Sequence, residues 1–268
     1  MTGIGSRELR STNFDLSGRV AIVTGGGTGI GKGMAIALAQ NGADVAVASR
    51  DSSHLRETVL QIEAMGRKGL GLQADVRDVA QISKMVETAM DAFGRIDILV
   101  ANAGVNRRIL AADITEEDWH YIVDTNLKGT FFSCQAVARH MIPRKKGKII
   151  TIGSLTSFMG YPMVGPYAAS RGGIVQLTKV MAVEWAPYHI NVNTISPGWY
   201  KTPLTGAVFE DPDWVQRTCN RIPLGRTGTP EDLGGAVVFL ASDASDYITG
   251  EMIFVDGGLK AGYDLWKY

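Results

Sequence analysis

Runs that are apolar at nearly every position alternate along this chain with longer stretches whose apolar residues recur at helical spacing. The apolar runs are 20–24, 44–48, 69–74, 96–101, 148–152, 191–195 and 252–255. Between them lie the helix-period stretches 30–41, 54–65, 79–93, 116–142 and 168–186. Strands that are apolar on both faces belong in a parallel sheet covered on both sides. Repeated strand–helix alternation predicts right-handed βαβ units. The expected class is α/β: a doubly wound parallel sheet of about seven strands, helices on both faces, in one domain over residues 1–268.

One segment breaks the alternation. Residues 197–226 hold four of the nine prolines, together with Trp199, Tyr200, Phe209 and Trp214. A long excursion from a regular α/β pattern is expected to act as a substrate loop or lid. Residues 1–13 read as a loose N-terminal extension.

After the first strand comes Thr24-Gly25-Gly26-Gly27-Thr28-Gly29-Ile30-Gly31, and a helix pattern follows at once. Glycines let the chain turn tightly and bring backbone N–H groups to a pyrophosphate, and the helix N-terminus adds a favourable dipole. Placed between strand and helix at the start of a doubly wound pattern, this turn predicts a Rossmann-type dinucleotide-binding domain.

The glycine spacing is TGxxxGxG, and other marks stand in order behind it. Asp75 and Val76 end the third strand, Asn102-Ala103-Gly104 follows the fourth, and Asn126 lies in the long fourth helix. Ser154 follows the fifth strand, and Tyr167 comes thirteen positions later. Pro197-Gly198 follows the sixth strand, with Thr202 just beyond. Together these residues resemble the short-chain dehydrogenase/reductase family, over residues 16–258. The resemblance implies a nicotinamide-dependent oxidoreductase (class 1.1.1) moving hydride between the cofactor and a secondary alcohol or ketone. It implies cofactor contacts from Gly25, Thr28, Gly29, Ile30, Asp75, Val76, Asn102, Ala103, Gly104, Tyr167, Arg171, Pro197, Gly198 and Thr202. It also implies Ser154 on the substrate oxygen, Tyr167 as the acid–base residue, and Asn126 extending a proton relay through water.

Tyr167 to Arg171 occupy the family's YxxxK motif, with arginine where the family has lysine. Positions i and i+4 share a helix face, so the cation sits one turn from the phenol, where it favours the phenolate. Arginine keeps the charge but is planar, bulkier and more delocalised than lysine. A working variant, a weakened enzyme and a cofactor-binding protein without turnover all remain open.

After the second strand the chain reads Ser49-Arg50-Asp51. NAD-selective relatives place a carboxylate directly at the strand end. Here a hydroxyl and a guanidinium stand there, which suits a 2′-phosphate, so NADP is expected over NAD. Past the cofactor turn, Arg107 and Arg108 form a pair suited to a carboxylate. The stretches around Tyr167, Trp185 and Lys201 resemble the gluconate 5-dehydrogenase-like branch, which oxidises sugar acids. A sugar acid such as gluconate or 5-ketogluconate is the expected substrate, held by Arg107, Arg108, Ser154, Tyr167 and Trp199. A ketoreductase acting on 3-oxoacyl thioesters or apolar ketones is the alternative.

Lys and Arg together number 27, as do Asp and Glu. That balance points away from nucleic acid and anionic membranes, which favour a basic excess. Cys134 and Cys219 have no metal-like or CxxC spacing, and no metal is expected. With no apolar leader or membrane-length run, a cytoplasmic protein is expected. The aromatic tail 263–268 suggests packing on a neighbouring subunit, and the resemblance implies a homotetramer or homodimer.

Overall fold

Strand β1 (Val20–Thr24) is buried at every position, as a central strand apolar on both faces must be. Its neighbours follow as β2 (Asp44–Ser49), β3 (Gly69–Gln73), β4 (Ile98–Ala101), β5 (Gly147–Ile152), β6 (Ile190–Pro197) and β7 (Met252–Val255). All pairings are parallel, and the strand order is β3-β2-β1-β4-β5-β6-β7. The expected Rossmann-type doubly wound sheet is thus observed. The coordinates are a computed structural model, which describes residues 13–262. Apart from Asn13, the expected N-terminal extension and the tail 263–268 lie outside the described residues.

The helices are α1 (Gly29–Gln40), α2 (Ser53–Ala64), α3 (Val79–Phe93), α4 (Glu116–Val123), α5 (Gly129–Arg144), α6 (Gly165–Trp185), α7 (Gly206–Phe209), α8 (Pro212–Cys219) and α9 (Gly234–Ala241). Alternate strand residues feed two cores. Ala21 and Val23 pack with α1, α2 and α9 on one face. Ile22 packs with α3, α5 and α6 on the other. No helix among the described residues is long and apolar enough to cross a membrane.

Three local features depart from the periodicity. The stretch expected as one helix over 116–142 is broken by a π-helical turn at Asp124–Lys128. Such a widened turn is a frequent mark of a functional site. Helix α6 starts earlier than its apolar period suggests, because Pro166 preorganises the first turn, so Tyr167 sits within that turn. The 197–226 segment contains α7 and α8, and β6 itself runs through Pro197.

At the opposite end of the sheet from the glycine turn, Asp97 is buried just before β4. It accepts from Arg95 Nε (2.8 Å), Arg144 Nη2 (2.6 Å) and the Val20 amide (3.0 Å). Burial opposes its ionisation. The Arg95 and Arg144 bonds and the Val20 amide outweigh that and hold the carboxyl below its ordinary 3.8. Its stabilisation is therefore complete above the ordinary carboxylate range and is lost as pH falls through the depressed folded value. Asp97→Asn is expected to destabilise the protein by about 3 kcal/mol in urea unfolding near neutral pH. The gap between variant and wild type should close in strong acid, and a gap independent of pH would refute the assignment.

Candidate active site

The C-terminal ends of β1 and β4 are adjacent, although Thr24 and Asn102 lie 78 positions apart in the chain. This is where the strand order reverses, the place where open α/β sheets form a ligand crevice. Asn102 ties the two ends together. Its Nδ2 donates to the Thr24 carbonyl (2.9 Å) and the Gly25 carbonyl (3.2 Å). Thr24 Oγ1 in turn accepts from the Asn102 amide (3.0 Å) and the Ala103 amide (3.1 Å). Gly25 (φ 66°) and Gly29 (φ 54°) hold left-handed backbone that a side chain would strain. A Cβ on Gly31 would run into the Gly25 carbonyl and Asn102 Nδ2.

A cleft of about 500 Å³ opens here. Thr28, the N-cap of α1, makes no side-chain cap bond, and no acidic residue stands in the first turn. The helix N-terminus therefore keeps its amide donors and its positive dipole end for an anion. Gly25, Thr28, Gly29, Ile30, Ser49, Arg50, Val76, Asn102, Ala103, Gly104, Tyr167, Arg171, Pro197, Gly198 and Thr202 all line the cleft. Asp75 does not. Arg77 grips its carboxylate, outweighing burial and holding it below the ordinary range. At the far end Arg50 has no ion-pair partner among the described residues, and His54 stands beside it in the wall. His54 lies in no motif, and its helical position faces Gly27 only after folding.

A second cavity, of about 300 Å³, shares Ser154, Tyr167, Gly198, Leu204 and Thr205 with the cleft. The two spaces thus meet at the serine and the tyrosine. Ser154 Oγ accepts from the Thr156 amide (3.1 Å), so its own proton is left to donate elsewhere. Tyr167 is half-buried, and its hydroxyl makes no hydrogen bond among the described residues. Arg171 lies beneath, only 3% exposed. Its Nη1 donates to the Ile152 carbonyl (2.7 Å), and its guanidinium carbon is 5.0 Å from the Tyr167 ring centre. Nη2 occupies the space that a Cβ on Gly104 would need. Nε is buried without a partner, and no carboxylate pairs with this cation among the described residues. A buried donor with nothing to bond is costly, and a hydroxyl-bearing ligand in the cleft would satisfy it. The glycine cradle, the uncapped helix end and this orphaned Nε all fit a dinucleotide.

Asn126 lies in the π-helical turn, fully buried and outside both cavity walls. Its Oδ1 accepts from the Val105 amide (2.8 Å), and its Nδ2 donates to the Val105 carbonyl (3.0 Å) and Ser170 Oγ (3.2 Å). A relay through this side chain would have to break one of these bonds. What the side chain does here is clamp the loop after β4. The arginine pair on that loop is split. Arg107 pairs with Asp118 and lies 4.4 Å from the Tyr121 ring centre, off both walls, whereas Arg108 lines the smaller cavity. Trp199 lines it too, in an aromatic wall with Trp214 (centroids 4.7 Å apart) and Tyr161 (5.8 Å). Arg221, just past α8, lines the same cavity. It lies in no motif, and only the fold of the 197–226 segment brings it over the site. Among the described residues no group of three metal-ligating side chains forms.

Residues 25–260 match the family profile described as enoyl-(acyl carrier protein) reductase. The 2-dehydro-3-deoxy-D-gluconate 5-dehydrogenase of Escherichia coli (strain K12) is 46% identical over 249 residues, covering 92% of this chain and 98% of its own. The 3-oxoacyl-(acyl-carrier-protein) reductase of Thermotoga maritima is 39% identical, covering 91% of this chain and 98% of its own. A solved structure, the gluconate 5-dehydrogenase from Burkholderia cenocepacia J2315 in complex with NADP and tartrate, superposes with a TM-score of 0.90. It is 40% identical and covers 94% of this chain and 98% of that one.

Asn102→Ala removes the tie between the two strand ends and strands the buried Thr24 carbonyl. The expected result is a stability loss of about 1–3 kcal/mol and a dinucleotide affinity at least about tenfold weaker, roughly 1.4 kcal/mol. Thermal unfolding and fluorescence titration with NADPH measure the two. An unchanged dinucleotide affinity would mean the turn is shaped by its glycines alone.

Proposed function

The chain belongs to the short-chain dehydrogenase/reductase family, and from that premise we propose that it is an NADP-dependent oxidoreductase acting at a secondary alcohol or ketone carbon of a sugar acid such as gluconate or 5-ketogluconate. The observation that carries this reading is the meeting of the two cavities at Ser154 and Tyr167, with Arg108 and Arg221 in the walls of the smaller one. A volume of about 300 Å³ suits a small molecule. The solved relative that holds NADP and tartrate, a small hydroxy acid, supports the same reading.

The bound nicotinamide would supply or accept the hydride. Ser154 donates its free proton to the substrate oxygen and so fixes the reacting carbon. Tyr167 takes the hydroxyl proton in oxidation and returns one to the carbonyl oxygen in reduction. Arg171 stands in the lysine's place: its guanidinium lies 5.0 Å from the Tyr167 ring centre and lines the cleft, where it meets the ribose hydroxyls. Arg50, with no carboxylate partner among the described residues, and His54 bind the 2′-phosphate, which favours NADP. Arg108 and Arg221 hold the substrate carboxylate, and Arg107 serves its loop through Asp118. The aromatic wall with Trp199 closes the cavity against water. Association into a homotetramer fits the half-exposed apolar edge strand β7 and the exposed Val180 and Val183 on α6.

One observation favours a second reading. The cavity wall is mostly apolar, with Leu155, Val164, Val208 and Leu259 beside the aromatics, which would suit a ketone or 3-oxoacyl substrate. A panel of sugar acids, polyols, alkyl ketones and 3-oxoacyl thioesters, assayed in both directions with both cofactors, separates the two. Turnover of sugar acids is expected, with NADP preferred at least about tenfold, about 1.4 kcal/mol of barrier. Arg108→Ala and Arg221→Ala should raise KM for the acid by about 10- to 100-fold each, as loss of a charged hydrogen bond does. Unchanged KM in both variants, or turnover of apolar ketones alone, would overturn the sugar-acid reading. Arg171→Lys is expected to retain or raise kcat. A loss beyond about 100-fold, near 3 kcal/mol, would show a pocket built around the guanidinium.

A further inference from the structure

Ser157 lines neither cavity and belongs to no motif, yet its hydroxyl joins the two elements that carry Ser154 and Tyr167. Its Oγ accepts from the Ser154 amide (3.1 Å) and donates to the Arg171 carbonyl (2.8 Å). One end of that bridge is the Ser154 backbone, and the other is the helix residue one turn beyond Tyr167. Among the described residues it is the one hydrogen bond between the short turn Leu155–Ser157 and α6. A hydroxyl has one proton and two lone pairs, so a single oxygen holds both partners, and alanine would hold neither.

The other bonds of the turn are local. The Ser157 amide returns to the Ser154 carbonyl (3.0 Å), and the Phe158 amide to the Leu155 carbonyl (3.0 Å). They shape the turn without placing it against α6. Residue 171 makes a second contact on the same side of the sheet, where its Nη1 donates to the Ile152 carbonyl (2.7 Å). Backbone and side chain of one helix residue thus grip the chain just before Ser154 and just after it. The direction of the Ser154 side chain is set separately, since its Oγ accepts from the Thr156 amide.

Tyr167 and Arg171 stand one turn apart on α6, so the helix fixes their relation. The bracket around Ser154 carries that rigidity across to the serine. Proton transfer at a substrate oxygen needs the Ser154 and Tyr167 hydroxyls on the same atom, and a reacting group misplaced by about 1 Å can cost about 100-fold in rate. We propose that Ser157 is a positioning residue, whose hydroxyl fixes Ser154 against Tyr167 without touching substrate or cofactor. This rests on the oxidoreductase reading above and deepens it, but depends on no particular substrate. Loss of the Ser157 hydroxyl frees the turn and leaves the Arg171 bond to Ile152 in place. The effect therefore falls on the reaction at the substrate oxygen and spares the dinucleotide.

The test is a double-mutant cycle in the full-length enzyme: wild type, Ser157→Ala, Ser154→Ala and the pair. Each is assayed with NADPH on 5-keto-D-gluconate, or on whichever member of the panel above wild type turns over fastest. Ser157→Ala should lower kcat/KM by about 10- to 100-fold, mostly through kcat. NADPH affinity, read by fluorescence titration, should stay within about twofold of wild type, and the melting temperature within about 5 °C. In the Ser154→Ala background the same substitution should cost less than about threefold, because the group it places is gone. The same loss in both backgrounds, no loss in wild type, or NADPH binding weakened in step with the rate would overturn the proposal. Absence of wild-type turnover on every panel member would overturn the oxidoreductase reading and this proposal with it, whereas turnover with additive losses overturns this proposal alone.

Discussion

The bond between Asn102 and the Thr24–Gly25 backbone is the constraint on which the site depends. In a doubly wound sheet the first and fourth strands lie side by side only after two full βαβ units have crossed over. Their loops then turn to opposite faces and leave a crevice between them. Nothing in that topology fixes how far apart the two loops stand. Here one side-chain amide and one threonine hydroxyl join them, so the glycine turn and the loop carrying Asn106 and Arg108 become one rigid unit. The absence of a Cβ at Gly31 is what lets Asn102 reach the turn at all.

The second dependence is electrostatic. Arg171 is a buried cation with one carbonyl partner and an orphaned nitrogen. Burial of a charge without a counter-ion is unfavourable, and proteins retain such arrangements where ligands complete them. The Asp97 cluster at the other end of the sheet shows the contrast. There a buried carboxylate has two guanidinium groups and an amide, and the arrangement completes itself within the chain. One end of the sheet is electrostatically closed and serves stability. The other end is left open, with Arg171 incompletely bonded.

The fold was legible from the sequence because the central strands are apolar on both faces and helices such as α3 are amphipathic, so two periods sort the chain into layers. Most of the cleft wall was legible as well, because close approach to a dinucleotide demands glycines and small residues at fixed places on strand ends. What could not be read is what depends on side-chain direction. Arg107 and Arg108 are adjacent in sequence, yet one turns to Asp118 and the other to the cavity. Asp75 stands at a strand end, but Arg77, two residues on, takes its carboxylate. The π-helical turn that carries Asn126 falls inside a stretch that reads as one continuous helix, so apolar spacing does not mark it. Arg221, Thr156 and His54 lie outside every motif. They join the site through the path of α8, the turn after β5 and the packing of α2 on the glycine turn.

The same distinction separates what the family resemblance carries from what it leaves open. Ser154 and Tyr167 stand where the two cavities meet, and their spacing is written into strand β5 and helix α6. The smaller cavity is built otherwise, from a loop, a short turn and a segment with two short helices, which vary without disturbing the sheet. A charge pair in that wall can select an acid, and an aromatic wall can tolerate an apolar body. Neither can distinguish one hydroxylation pattern from another. The clamp of Asn126 on Val105 fixes where the loop bearing Arg108 leaves the sheet.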